Sequence, residues 1–371
     1  MMPIDDLRAW IAIGDREYGG WKTVEVTRAF DAAASTFSLA VIDTWAEGGQ
    51  QLGWPINLFD PCTVSLGGVL AITGYVDRVE PAYNATQRGI HVAGRSKTGD
   101  LVDCSAVVPG GQFKGYKLDA IGNQLCKPFG VDVLAKADLG ETFSDVSVEP
   151  GSTVFRTLDD LARSRGVVLH DDPSGRLVID EAQESDPVAK LIEGENIFEG
   201  RAALTAEERH SKIIGKSQVA GTDEIWGSDA SEIGDEVDDE SVPRHRPLIV
   251  TPEKPLTMKD LRNRLEFERA VRAGNGLVAD ITVLGWHVSE GKLWTPGDAV
   301  QVSSPSLYLD RTLYIKQVTH SQGQGPTSTK LQLVPLSALR KKGGGQKKSG
   351  GGSDDGKIWD GPPVDSKTGV A

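Results

Sequence analysis

The sequence has few of the residues from which catalytic and metal sites are built. Its 371 residues include only three cysteines (Cys62, Cys104 and Cys126), with no CxxC pair, and six histidines, with no HExxH motif. These counts argue against a disulfide framework and the common zinc motifs, and they fit a reducing compartment. No P-loop, GxSxG or strand-associated GxGxxG motif is present. We therefore expect no catalytic residue, no cofactor and no metal ligand.

Basic charge and long apolar runs are scarce as well. Lys and Arg number 40 against 53 Asp and Glu, a net charge of -13, which argues against sequence-independent binding of phosphate backbones. The apolar stretches have the length of strands, well short of the roughly 20 residues that cross a bilayer. The N-terminus lacks a basic start followed by an apolar run. We expect a soluble protein, made in a cytoplasm, without a membrane segment.

Two local clusters could still suggest chemistry. His170, Asp171 and Asp172 lie together, but Asp172 opens the sequence DPSG, which is typical of a turn between strands. Cys104 would be a nucleophile only if the fold placed a histidine beside it, and we expect a buried small side chain instead. Neither cluster predicts an active site.

Alternating apolar positions predict a mainly β protein. The predicted strands include residues 37–41, 69–83, 90–93, 277–284, 299–302, 312–319 and 330–334, and the polar turn 84–89 predicts a hairpin. Helices are predicted at 118–125, at 154–161 with Ser152 or Thr153 as cap and Gly166 as end, and at 258–273 with Thr257 and Asp260 as a capping box and Gly274 as end. Four arginines (Arg262, Arg264, Arg269 and Arg272) are predicted to form the solvated face of the last helix. The acidic run 228–241 is predicted to be an exposed loop.

A weak internal repeat organises these elements. Residues 37–45 resemble 278–286, each a strand that ends in tryptophan, and 54–65 resemble 294–302. Residues 70–79 then match 311–320, and 90–94 match 330–334. The common order suggests one antiparallel barrel built twice, so that a threefold trimer would present six barrels. Two unrelated hairpin-rich domains of similar composition remain the alternative.

The predicted fold is mainly β with α+β parts. Residues 1–95 form a first tube-type β-barrel domain, and 96–185 form small α/β middle domains (about 96–145 and 146–185). Residues 186–340 form a second tube-type barrel domain, which contains the acidic loop 228–242 and helix 258–273. Residues 341–371 are rich in Gly and Lys, cannot bury apolar surface, and are predicted to be a flexible tail.

One segment resembles a wall-binding module. Residues 148–167 resemble the opening of a LysM peptidoglycan-binding module. The usual second helix does not follow, because residues 176–179 are typical of a strand after a tight turn. A structural strand-helix-strand-strand unit is favoured. Two alternatives stay open: a tail lysin that binds or hydrolyses peptidoglycan through 148–168, and a cytosolic carbohydrate-binding module.

Several segments in order resemble a known family. Residues 94–106 (GRSKTGDLVDCSA), 148–168, 243–247 (PRHRP) and 293–296 (LWTP) resemble the baseplate hub proteins of Mu-type contractile-tailed phages, the P or late control D-like hubs. The resemblance extends from about residue 4 to residue 340. The tail after Arg340 lies outside the family pattern.

This resemblance implies a structural protein without enzymatic activity. It implies a homotrimer whose two barrels per chain form a pseudo-sixfold ring, which joins the sixfold tail tube to the threefold central spike. The implied partners are the tail tube or distal tube protein, the spike protein and the wedge proteins of the baseplate. DNA would pass through the lumen without specific binding, because an acidic wall repels it. The expected location is the virion tail of a phage or tailocin, assembled in the host cytoplasm.

Overall fold

The computed structural model describes residues 8–44, 56–217, 233–251 and 258–340. Strands predominate in these ranges, and the mainly β prediction is confirmed. The strands are rich in β-branched residues at alternating buried positions; β18, for example, reads LVADITVL and buries every second side chain over most of its length. The predicted capping box at Thr257 and Asp260, Trp45, Trp54 and the tail 341–371 lie outside the described residues or side chains.

The N-terminal part consists of seven strands: β1 (Ala9–Ile13), β2 (Arg16–Tyr18), β3 (Thr23–Ala29), β4 (Thr36–Thr44), β5 (Pro61–Leu66), β6 (Val69–Tyr83) and β7 (Gln87–Ser96). The predicted hairpin is β6 and β7, and its turn is shorter than expected, because pairing resumes at Gln87. The Asn84 side chain holds this turn by accepting hydrogen bonds from the backbone N–H groups of Thr86 (2.9 Å) and Gln87 (2.8 Å).

A mixed α/β region follows. It contains α1 (Gly99–Asp103), β8 (Gln112–Phe113), α2 (Leu118–Cys126), β9 (Val133–Ala135), β10 (Val146–Ser147), α3 (Val154–Arg165), β11 (Val168–Asp171) and β12 (Leu177–Asp180). The α2 and α3 predictions are confirmed, and α3 is capped by Thr153 and ended by Gly166 in the left-handed conformation. One apolar core extends from Leu101 to Ile179 through this whole region.

The C-terminal part contains the remaining elements: β13 (Ala189–Ile192), β14 (Glu199–Leu204), β15 (Lys212–Ser217), β16 (Ile233–Asp238), β17 (Pro247–Val250), α4 (Met258–Asn275), β18 (Leu277–Leu284), β19 (His287–Ser289), β20 (Lys292–Leu293), β21 (Ala299–Ser304), β22 (Leu309–Gln322), β23 (Ser328–Val334) and α5 (Leu336–Leu339). Helix α4 continues one residue past the predicted stop at Gly274. The predicted solvated arginine face is wrong for Arg264, which is mostly covered and pairs with Glu268 at 2.6 Å.

The acidic run was predicted to be a loop, and this prediction is wrong for residues 233–238, which form β16. β16 pairs antiparallel with β15, and Val237 packs with Ile213 and the α4 residues Leu261 and Leu265. The strand forms because one apolar side chain of this charged segment reaches the core under α4, while its acidic neighbours face solvent or cations. Residues 228–232 lie outside the described ranges.

Thirteen strands form one sheet, in the order β14-β18-β23-β22-β3-β4-β7-β6-β5-β1-β2, with β21 and then β13 branching from β22. Within it, β4-β7-β6-β5 and β18-β23-β22-β21 have the same order, and every step is antiparallel. A further strand flanks each set at the same place, β3 beside β4 and β14 beside β18. The two halves of the sheet therefore repeat one five-stranded unit, and we name them copy 1 and copy 2.

The copies share a β-bulge. The β6–β7 ladder shifts register between Val76 and Arg78, and the β22–β23 ladder shifts between Ile315 and Gln317. Aligning these bulges matches Val79 of copy 1 with Val318 of copy 2. The sequence comparison had placed Val79 opposite His320, so its alignment was two residues out in this strand.

Each copy has its own apolar core, and two side chains of the C-terminal part, Trp286 and Leu293, lie in the core of copy 1. Copy 1 buries residues such as Leu39, Val64 and Val92, and copy 2 buries residues such as Ile281 and Leu331. Trp286 follows β18 of copy 2 but is fully buried in the core of copy 1. Among the strands described, no pairing closes either copy into a barrel.

Candidate assembly surfaces

The cluster of His170, Asp171 and Asp172, which sequence analysis considered for chemistry, has a structural role. His170 stacks on Phe30 with ring centroids 5.3 Å apart, and its Nε2 lies 3.4 Å from Asp180. Asp172 caps the predicted turn by accepting hydrogen bonds from the backbone N–H groups of Ser174 (2.9 Å) and Arg176 (3.0 Å). Within the described part of the chain, no group of three His, Cys, Asp or Glu side chains could hold a metal ion.

Cys104, by contrast, does not match its prediction. It is exposed at the end of α1 rather than buried. Arg95 donates hydrogen bonds to Asp77 and to Asp103, both at 2.7 Å, and these bonds raise the pKa of its guanidinium. These ion pairs connect Asp103 of α1 to Asp77 in the bulge of β6, and their role is structural.

The two copies are joined edge to edge by β3 and β22. The strands pair antiparallel from Ala29 opposite Gln317 to Val24 opposite Gln322. The Phe30 N–H donates to the Lys316 carbonyl at 2.8 Å, so Phe30 and Lys316 form a hydrogen-bonded pair. Hydrogen-bonded and non-hydrogen-bonded pairs alternate along an antiparallel ladder, and Thr27 and Thr319 therefore form a closely spaced pair without backbone hydrogen bonds. The two threonine Oγ1 atoms lie 3.2 Å apart. We refer to this β3–β22 pairing as the copy junction.

A buried carboxylate ties the copy junction to the middle region. Asp171 of β11 is 3% exposed and accepts hydrogen bonds from the Ser35 N–H (3.2 Å) and Oγ–H (2.8 Å). The Ser35 N–H also donates to Ser96 Oγ at 3.1 Å. Burial lowers the pKa of the Arg28 guanidinium, and the charge of Asp171 is the strongest influence that opposes this shift. Asp171 therefore accepts hydrogen bonds from Ser35 and also opposes the effect of burial on the Arg28 cation.

His320 of β22 lies in the same junction and is fully buried. Its Nδ1 lies 3.0 Å from Thr329 Oγ1, and the Thr329 hydroxyl donates to the Gly285 carbonyl. Nδ1 therefore carries the proton and donates. Desolvation lowers the pKa of His320 to about 3, so the junction contains a neutral imidazole at neutral pH.

Outside the copy junction, two strand segments are exposed. β14 pairs with β18 on one side only among the described strands, and five of its six residues are exposed. The second half of β6, from Arg78 onward, pairs with β7 but with no described strand on its other side, because β5 pairs only with the first half. Sequence analysis did not predict β14, since EGRAAL has no apolar alternation.

Large apolar side chains add to the exposed surface. Phe59 is 82% exposed at a left-handed backbone position (φ 70°), and Val107 is 87% exposed on the loop after α1. Phe198 and Leu284 are more than half exposed at adjoining ends of β14 and β18. Aromatic residues such as Phe59 and Phe198 are enriched at protein–protein contact sites. No helix in the described ranges is long and apolar enough to span a membrane.

Comparisons with protein families agree along the chain. Residues 9–96 match the N-terminal domain of Mu phage baseplate assembly protein GpP-like proteins, and residues 98–181 match the second domain of gp44-like baseplate hub proteins. Residues 257–341 match the fourth domain of the Mu phage baseplate assembly protein GpP. The LysM-like segment 148–168 lies inside the match to the second hub domain.

Individual relatives cover most of the chain. The baseplate hub protein gp44 of Escherichia phage Mu is 30% identical over 338 residues, 86% of each chain. The 43 kDa tail protein of prophage MuSo2 from Shewanella oneidensis is 32% identical, with a TM-score of 0.79 over 90% of this chain and 99% of that one. A tail protein from Neisseria meningitidis MC58 shares the fold, with 23% identity and a TM-score of 0.73 over 90% and 98%.

Proposed function

The chain belongs to the family of Mu-type phage baseplate hub proteins, and we propose from this premise that it is a trimeric adaptor between the sixfold tail tube and the threefold central spike. The relatives are structural components of phage tails, and we infer that this chain is likewise structural, without enzymatic activity. Its place is then the tail of the virion, after assembly in the host cytoplasm.

The observation that carries this proposal is the repeated five-stranded unit. A trimer of chains with two copies each contains six equivalent units, which matches a sixfold tube while the chain count remains three. In this proposal each copy curves into a barrel-like unit of a tube wall. The threefold symmetry of the chains remains available to the spike.

The domain boundaries follow from the same proposal. Residues 1–95 and 186–340 would build the wall, and the α/β region 96–185 would lie on its outside. The hub would contact the tail tube or distal tube protein, the spike and the wedge proteins. The net charge of -13 suits a channel through which DNA passes without being bound, because like charges repel.

The mass of the purified chain tests the trimer. We expect light scattering after size exclusion to give about three times 39.7 kDa. Extensive interfaces with apolar centres should keep this species intact on dilution to micromolar concentration. A mass that stays at one chain, or that settles at two, would contradict the proposed adaptor.

A further inference from the structure

The strand pairing at the copy junction could also form between two chains. Within the chain, the flanking strand of copy 1 (β3) pairs with the second half of a long strand of copy 2 (β22). Copy 2 has its own flanking strand, β14, and copy 1 has its own long strand, β6. We propose that β14 of one chain pairs antiparallel with the second half of β6 of a neighbouring chain, and so reproduces the copy junction between subunits. This inference rests on the proposed trimer.

The two ladders define the register of this contact. The β3–β4 and β14–β18 pairings match Thr27 with Ala203, and the aligned bulges match Thr319 with Glu80. Because Thr27 pairs with Thr319, Ala203 should pair with Glu80 of the neighbour. The complete register places residues 201, 202, 203, 204 and 205 opposite residues 82, 81, 80, 79 and 78.

The backbone directions fit this register. The Thr205 N–H donates to the Gly276 carbonyl at 2.8 Å. Every second residue of β14, counted back from Thr205, therefore forms its backbone hydrogen bonds with β18. The backbone groups of the residues between them, Ala202 and Leu204, point to the outer edge of the sheet. On β6, the Asn84 N–H donates to the Gln87 carbonyl at 2.8 Å, which by the same alternation directs Val79 and Pro81 away from β7. Pro81 lacks an N–H, so it contributes only its carbonyl, as proline does at strand edges.

The side chains fit it as well. At the copy junction, the core-facing pairs are Val26 with His320 and Arg28 with Val318, and all four residues are buried. The corresponding pairs between subunits are Ala202 with Pro81 and Leu204 with Val79, which are all apolar. Ala202 and Val79 already pack against the two cores from the partly buried side. The other residues of both segments are exposed in the single chain, so pairing would bury their backbone edges and part of their side chains.

The charges are complementary on the outer face. In the proposed register Arg201 lies diagonal to Glu80, within the reach of a long side chain across a strand pair. Arg78 lies opposite Thr205, which lines a groove together with Glu207 and Glu208. The contact is heterologous, and repetition around a threefold axis gives three in-chain and three between-chain junctions, which closes a ring.

Paired cysteines test the register directly. In a Cys104→Ser background, the full chain with Glu80→Cys and Ala203→Cys places two thiols at the position of the Thr27–Thr319 pair, within the Cα range of a disulfide. Under mild oxidation we expect covalent dimers and trimers on a non-reducing gel. The yield should be roughly tenfold above Ala82→Cys with Ala203→Cys, which is displaced by two residues. Each single-cysteine variant should give none, because each interface of the trimer then contains only one thiol.

The outcomes separate this inference from the trimer. A trimeric mass with no covalent species would overturn the β14–β6 pairing and leave the adaptor intact. Stronger cross-linking in the displaced pair would overturn the register. A monomeric mass at all concentrations would remove the trimer and this pairing together. Glu80 and Ala203 are exposed and not part of either core, so the variants are expected to fold.

Discussion

Asp171→Ala should lower the free energy of unfolding by about 2–3 kcal/mol, the upper range for loss of a buried charged acceptor that leaves its donor unsatisfied. The carboxylate accepts two hydrogen bonds from Ser35 and is the strongest influence that counteracts the desolvation of buried Arg28. Without it, the Arg28 cation loses the nearest opposing charge and the Ser35 hydroxyl loses its acceptor. The measurement is urea denaturation followed by tryptophan fluorescence, because Trp21 and Trp286 are in the adjacent core.

Two variants at the same contact serve as controls. Asp171→Asn keeps an oxygen acceptor but removes the charge, and should cost an intermediate amount. Ser35→Ala removes only the hydroxyl donor and should cost about 1–2 kcal/mol. An Asp171→Ala midpoint equal to that of Ser35→Ala would show that Asp171 acts only as the acceptor for Ser35 and that Arg28 does not depend on it.

Gly94→Ala should strongly destabilise the native sheet. A Cβ at Gly94 would lie 2.0 Å from the Tyr75 carbonyl oxygen and 2.7 Å from the Phe37 ring, and the first contact involves backbone that cannot rotate away. Relief requires a shift of β7 against β6 at the bulge, which disturbs the core of copy 1. We expect a loss of at least about 4 kcal/mol, seen as little soluble protein or a much lower denaturation midpoint.

Gly323→Ala is the matched control, since nothing lies within 4 Å of its Cβ position and its backbone is not left-handed. It should change stability by less than about 0.5 kcal/mol. Comparable midpoints for the two variants would mean that β6 and β7 approach less closely than the structure shows.

Much of the strand order of the sheet could be predicted from the sequence. Alternating patterns located β18 and most of β4, β6, β22 and β23, and the repeat anticipated that copy 1 and copy 2 have one strand order. The α3 ends were predictable because Thr153 and Gly166 act locally. Apolar alternation and helix ends depend on residues that are close in sequence, so a sequence pattern can predict them.

Features that depend on distant partners were not predictable. β14 and β16 are strands because β18 and β15 offer edges to pair with, and their own sequences carry little apolar alternation. Asp171 lies beside a turn signal, so its burial against Ser35, 136 residues away, has no local sign. Trp286 follows the repeat of copy 2 and yet fills copy 1, because the copy junction places it there.

The symmetry of the assembled hub tests the central claim most directly. In negative-stain end-on averages of the purified trimer, two equivalent copies per chain predict six peripheral densities about 60° apart around a central opening, with a dominant sixfold rotational component. Three separate lobes without a sixfold component would contradict it, because the repeated units would then not form one ring.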